Sequence, residues 1–432
     1  MDDAIILYIL RFLLGEHVPP DAGLPVAYTS DATKFRSCKI AIIPSGFFDA
    51  HVYGTPASIP RLPLRQIEGV PILFGRPQIE RAGDTLVVHA DLVASAYFLL
   101  SRYEEIVRRR VRDVHGRFPG RESLPFKAGF ISRPIVDEYG RLLAKWLRQS
   151  GAPVNEPPQV IRHVHLTHDV DEPFSCRSWR NVARGIVEGK HIVSLLRSKF
   201  GKPENDVCYT FPGMLGKDAS VREELGEDRC SIRFFLKAGG TTRQDRPRYN
   251  LHDRDMRQLL RLIAAHGATV GLHAGYGAGM NPALIAKEKR RLETALGREI
   301  TSNRHHFLAS REPEDMTALE TAGITDDFTM GYADVAGFRL GTSRPVRWIN
   351  ASTRTLSRLI LHPLTVMDST LSESKYMGLA AGEAQEYCFR LTEETKKARG
   401  ELVLLWHNTS VVEGAGYHMD LYNRLLDKIA QQ

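Results

Sequence analysis

The sequence predicts an α/β protein in two parts, a smaller α/β domain over residues 1–155 and a strand–helix domain over 156–432. Three observations carry that expectation. At 432 residues the chain is too long for one ordinary core. The run Gly151-Ala152-Pro153-Val154-Asn155-Glu156-Pro157-Pro158 forbids regular structure through its prolines and marks a boundary. Beyond it, short apolar runs alternate with helical patterns, which implies a parallel sheet or barrel with functional side chains at the strands' C-terminal ends.

In the first part, residues 5–14 are apolar but interrupted by Arg11 and preceded by Asp2-Asp3. That suits an amphipathic core helix rather than a secretory signal or a membrane span of about 20 apolar residues. Residues 39–44 and 85–88 read as strands. Asp91 is placed to cap a helix through Ala94, Phe98, Leu99 and Tyr103, and a second helix covers 135–147. In the second part, residues 163–166 and 232–236 read as strands. Asp253 caps a helix that Gly267 ends, and 268–272 is the next strand. Asn281-Pro282 opens a helix closed by Gly297, and Pro313 starts one ended by Gly323. Residues 359–367 are strand-like, 373–398 mostly helical, 402–406 a strand, and 417–429 a last helix.

Apolar content of 43% and charged content of 25% are those of an ordinary globular protein. The formal charge is +7, with Lys and Arg scattered apart from Arg108-Arg109-Arg110. A nucleic-acid binder needs a concentrated basic face with aromatic platforms, so that class is set aside. A mildly basic chain suits anionic sugars, nucleotide-sugars or lipid phosphates instead. The five cysteines (Cys38, Cys176, Cys208, Cys230 and Cys388) are odd in number and form no CxxC pair. That favours a reducing compartment and a cytoplasmic location.

The chemistry concentrates at strand ends. In Thr167-His168-Asp169-Val170-Asp171, alternation aims both aspartates the same way, about 7 Å apart. Two such carboxylates repel unless a cation or a shared proton relieves them. The next strand ends in His273, followed by the small loop Ala274-Gly275-Tyr276-Gly277, with Tyr276 a candidate substrate contact. Arg304-His305-His306-Phe307 follows Ile300, and the strand Val403-Leu404-Leu405-Trp406 ends in His407-Asn408. One or two carboxylates with two imidazoles and an open position compose a catalytic divalent-metal site. His163 and His165 read as satisfied core or surface histidines, and His168, on the opposite strand face, as a packing residue. His266 suits a helix C-terminus, while His191, His252 and His362 show no partner. The turn-rich segment 327–343 is either a structural loop or a substrate wall whose Arg339 grips a carboxylate or phosphate.

Residues 160–432 resemble the polysaccharide deacetylase superfamily (nodulation-protein, carbohydrate esterase family 4-like). Its Thr-Phe-Asp-Asp motif looks like Thr167-His168-Asp169-Val170-Asp171, in the Asp-Val-Asp form of deformylases acting on lipid-linked amino-sugars. Its Ala-Thr-Phe-Phe strand looks like Ile232-Arg233-Phe234-Phe235-Leu236. Its Leu-x-His motif is matched by Leu405-Trp406-His407. The His-x-x-x-His motif is half present, with Gly277 in place of the second histidine. The Arg-x-Pro-Tyr/Phe motif is similar to Arg304-His305-His306-Phe307, with His306 replacing the proline. Residues 91–105 and 112–118 resemble an uncharacterised domain that precedes deacetylases of this branch.

The resemblance implies a distorted (β/α) barrel and a hydrolase that removes an N-acyl group, acetyl or formyl, from an amino-sugar of a cell-surface polysaccharide or its precursor. By position, Asp169 is the general base, Asp171, His273 and His306 hold the metal, and His407 is the general acid. Val170 leaves open which aspartate is base and which is ligand. Arg304 orients the base through a bidentate pair. Asp368 fixes the tautomer of His407, with Asp326 and Asp327 as rivals. Zinc is the expected ion, although cobalt, nickel or iron suit the same ligands. A homodimer is compatible with this reading. The alternatives are a decayed carbohydrate-binding protein, motivated by Gly277, and an amidohydrolase acting on a non-sugar amide.

Overall fold

The computed structural model describes residues 3–175, 177, 179–187, 189 and 191–432; Cys176 lies outside them. In the N-terminal segment, β1 (Val26–Tyr28), β2 (Ile40–Ile42), β5 (Gly75–Ala82) and β6 (Thr85–Ala90) form a sheet in the order β1-β2-β6-β5. A hairpin of β3 (Arg65–Ile67) and β4 (Val70–Ile72) stands beside it. Asp91 caps the helix Leu92–Leu100 as expected, accepting from the Ala94 N–H at 2.8 Å. The amphipathic helix Asp3–Leu14 packs on Ile135–Gln149 so closely that a Cβ on Gly140 would lie 2.2 Å from the Leu13 carbonyl oxygen. Only glycine permits that crossing.

Nine strands build the second sheet: β7 (His163–Val170), β8 (Cys230–Leu236), β9 (Thr269–Ala274), β10 (Ser302–His305), β11 (Asp326–Asp327), β12 (Val346–Asn350), β13 (Thr355–Leu361), β14 (Leu364–Met367) and β15 (Glu401–Leu405). Their order is β12-β13-β11-β10-β9-β8-β7-β15-β14. Every pairing is parallel except β12 with β13. The sheet curls without closing into a continuous ladder. Its two edges are covered instead. The Tyr8 hydroxyl, from the first helix, accepts from the Arg347 N–H of β12, and backbone bonds at Met330 and Gly337 cover β14.

Alternation along β7 sorts its side chains between the two faces of the sheet. Val164, Leu166 and Val170 are buried in apolar clusters. His168 lies on that face too, held by Asp218 at 2.8 Å and the Trp406 carbonyl at 2.9 Å, a packing role as expected. The inner face carries His165, Thr167 and Asp169 in ascending layers. Buried apolar residues from Ile5 to Trp146 and from Val170 to Leu361 form one contiguous cluster.

Several expectations need correction. Residues 359–367 are two strands, broken at His362-Pro363, because proline has no N–H for a ladder. The helix expected over 373–398 begins only at Ala381, since Gly378 turns the chain with φ +58. The Asp253 side chain does not cap its helix; it accepts from Asn250 Nδ2 at 3.0 Å. The helices Trp179–Val187, Ile192–Phe200 and Phe211–Leu225 between β7 and β8 were not foreseen.

Candidate metal centre

The C-terminal ends of β7, β9, β10 and β15 converge on a cavity of about 330 Å³ lined by Asp169, Asp171, His273, His306 and His407. Asp171 Oδ1 lies 3.4 Å from His273 Nε2 and 3.2 Å from His306 Nε2. Donor atoms of these three residues all fall within 4.8 Å of one another. Asp171 Oδ1 and His273 Nε2 are buried without a hydrogen-bond partner. Buried polar atoms are rarely left so, and a cation between them would satisfy both.

Each imidazole has its other nitrogen occupied. His273 Nδ1 donates to the Arg304 carbonyl at 2.9 Å, which frees the Nε2 lone pair. His306 Nδ1 meets Asp245 Oδ1 at 3.1 Å. Asp245 is itself fixed by the Tyr276 N–H at 2.7 Å and by the Thr242 hydroxyl at 2.6 Å. A carboxylate behind a histidine orients its ring and makes it more basic toward a metal. Burial alone would raise the Asp171 carboxyl, but the His306 and His273 imidazoles outweigh it and hold it well below the carboxylate range. The donor set therefore fits a divalent ion.

Asp169 Oδ1 accepts from Arg304 Nη1 at 3.1 Å. The expected bidentate pair is not formed: Nη1 also donates to Thr167 Oγ1 at 2.8 Å and Nε to the Phe328 carbonyl at 3.0 Å. Arg304 is fully buried, its guanidinium 4.6 Å from the Phe235 ring centre. His407 Nδ1 meets Asp368 Oδ1 at 2.8 Å, and the His407 N–H donates to Asp368 Oδ2 at 2.7 Å. Asp368 is thus the partner of His407, and it opens the short helix Asp368–Ser372 rather than ending a strand. Its rivals are engaged elsewhere, Asp326 with His362 and Asp327 with Asn303 and Thr329. Burial works to lower the His407 pKa, but the Asp368 carboxylate overrides it and pushes it up to about 10. His407 Nε2 faces Asp171 Oδ2 at 3.7 Å.

Two assigned residues lie outside this chemistry. Tyr276 is absent from the cavity lining; its hydroxyl meets His115 Nδ1 at 3.3 Å. Arg339 is buried and donates to both Glu105 oxygens at 2.9 and 2.7 Å and to the Gly331 carbonyl at 2.7 Å. Buried and committed to these partners, Arg339 does not reach the cavity, and the structure places it in a buried ion pair. Conversely, no sequence signal marked Asp245 as a positioning residue, or Arg117 and Tyr376 as cavity wall.

A second group, His165, His362 and Glu401, sits lower along the curled sheet. There His362 Nδ1 meets Glu401 at 2.7 Å and Nε2 meets Asp326 at 3.0 Å. His362 is thus held between two carboxylates, as in an ionic cluster, while His165 Nε2, 3.2 Å from Glu401 Oε2, is buried without a hydrogen-bond partner.

A family of unknown function (DUF7033) matches residues 6–152, which hold the cavity-wall residue Arg117 but none of the Asp/His donors. No curated protein matches the chain. Among solved structures, the chain is similar to a Mycobacterium smegmatis protein assigned as a polysaccharide deacetylase, at 14% identity and TM-score 0.41, covering 65% of this chain and 87% of that one. A Pseudomonas aeruginosa PAO1 protein assigned likewise matches at 12% identity and TM-score 0.39, covering 64% and 89%. Puue allantoinase matches at 12% identity and TM-score 0.37, also covering 64% and 89%. The chemistry assigned to the site rests on its own geometry.

Proposed function

We propose that this protein is a metal-dependent hydrolase that removes an acetyl or formyl group from the nitrogen of an amino-sugar. The observation that carries the reading is the convergence of orphaned Asp171 and His273 donors with His306, beside a buried Asp169–Arg304 pair and a His407–Asp368 pair. Asp171, His273 and His306 would hold the ion, with zinc favoured by an Asp/His set. A bound divalent ion lowers the pKa of water toward about 7 and polarises an acyl carbonyl.

The chain's own residues supply the rest. Asp169, held in place by Arg304 Nη1, would take a proton from the attacking water. His407 donates its Nδ1–H to Asp368, and the same carboxylate favours the imidazolium form, whose Nε2–H would be given to the leaving nitrogen. Protonation there matters, because an amide nitrogen leaves as an amine and not as an anion. The cavity of about 330 Å³ matches a single sugar unit.

The test combines metal analysis with acyl release. Purified protein should hold about one zinc equivalent per chain, sharply reduced in His273→Ala and His306→Ala. A panel of N-acetylated and N-formylated sugars and linear amides should yield acetate or formate from the sugars. Asp169→Asn should abolish that release while keeping the metal. Full metal content in both histidine variants, or release only from linear amides, would overturn the proposal.

A further inference from the structure

Directly after Asp171, the chain leaves the mouth of the metal centre as a pair of short helices, Trp179–Val187 and Ile192–Phe200. Its root is tied to the site: Asn408, next to His407, donates Nδ2 to the Glu172 carbonyl at 2.9 Å. The two helices share little core of their own, with Val182 and Leu195 as their buried contact. Their other apolar side chains face outward. Among the described residues, half of the fourteen exposed large apolar side chains fall within residues 179–200. Trp179 is 62% exposed, Val187 88% and Phe200 69%. The spacing is helical: Trp179, Ile186 and Val187 share one stripe, and Ile192, Val193 and Phe200 another.

The same stretch of sequence is strongly basic, against the even scatter expected. Residues 177–202 contain seven Lys/Arg and one Glu, a net +6 of the chain's +7. Lys199 Nζ lies 4.8 Å from the Trp179 ring centre and 5.5 Å from that of Phe200, so cation and aromatics occupy one patch. An exposed apolar stripe would cost stability in water, and soluble surfaces rarely gather one without a partner. A mixed aliphatic and aromatic stripe flanked by cations is what an anionic bilayer surface accommodates: apolar groups enter the headgroup boundary and Lys/Arg meet lipid phosphates. No described helix is long and apolar enough to cross a membrane, so the contact is interfacial. A nucleic acid would leave the aliphatic residues Val187, Ile192 and Val193 unmatched.

We infer that the helical pair 179–200 docks this protein on anionic phospholipid surfaces, with the metal centre's mouth beside the point of attachment. This inference does not depend on the acyl chemistry, because vesicle binding and acyl release are separate readouts.

The test uses full-length protein with vesicles of phosphatidylcholine alone or with about 30 mol % phosphatidylglycerol. Trp146, Trp348 and Trp406 are buried, so any emission shift on binding reports Trp179. The protein should co-sediment with the anionic vesicles only, with a blue shift, and should release at about 0.5 M salt. Val187→Ser with Phe200→Ser replaces exposed residues and should weaken binding by at least about tenfold, with metal content unchanged. Arg184→Glu with Arg197→Glu should do the same. Failure of the unmodified protein to bind, or binding unaffected by both double variants, would overturn the inference. So would a dimer in buffer that the apolar substitutions dissolve, since the patch would then belong to a second copy.

Discussion

A histidine holds a metal dependably when its second nitrogen is already engaged, and at His306, a ligand under the proposed function, that engagement comes from Asp245. Asp245→Asn should therefore weaken metal binding by roughly 10- to 100-fold with the fold intact. Competition against a chromophoric chelator measures this, and an unchanged affinity would remove Asp245 from the site. Asp169, Asp171, His273 and His407 were legible in the sequence because each ends, or closely follows, an apolar run that reads as a strand; His306 follows the polar strand Ser302–His305 and was reached only through the motif resemblance of Arg304-His305-His306-Phe307. Asp245 was not, since it lies in the irregular loop after β8 where no periodicity sets a direction. Arg339 was misassigned for a related reason. Its partner Glu105 is 234 residues away, and nothing local reveals that its guanidinium is already committed.

The helix Glu314–Thr321 carries a buried acid near its start. Burial pushes the Asp315 carboxyl up to about 7, although the Arg311 N–H donates to its Oδ2 at 2.6 Å. The folded pKa is raised above the unfolded value of 3.8, so stability is full below that value and is lost as pH rises to about 7. Asp315→Asn should be nearly neutral near pH 4 and stabilising above about pH 7, by on the order of 4 kcal/mol. Melting curves at the two pH values check it; equal shifts at both would contradict the assignment. Elements whose ends carry explicit stop signals, such as Gly267, Gly297 and Gly323, were placed correctly from sequence. The start of Ala381–Ala398 was misplaced because the preceding residues have helical composition yet turn at Gly378 to line the cavity with Lys375 and Tyr376.

At the scale of the molecule, buried ion pairs bolt the N-terminal segment to the part built on the nine-stranded sheet. Glu105 binds Arg339, Arg102 binds Glu312, and Asp137 accepts from Arg344 at 2.6 Å. Both members of the first two pairs are buried, so removing one leaves a charge uncompensated in the interior. Glu105→Gln should destabilise the whole chain by on the order of 3–5 kcal/mol. Denaturant unfolding would measure it, and a loss below about 1 kcal/mol would show the pair to be dispensable. The parallel strand order followed from the strand–helix alternation. The interlocking did not, because it depends on pairs hundreds of residues apart.

Phe307 and Leu308, directly after His306, hold left-handed backbone angles of +62° and +53°, which non-glycine residues adopt only at a cost. The Phe307 carbonyl is gripped by Arg117 Nη1 at 2.9 Å, from the other end of the chain. The N-terminal segment thus acts as a splint for the bend that presents His306. A fragment trimmed to the nine-stranded sheet and its helices would lose that splint, and even if it folded it would not present His306 as the intact chain does.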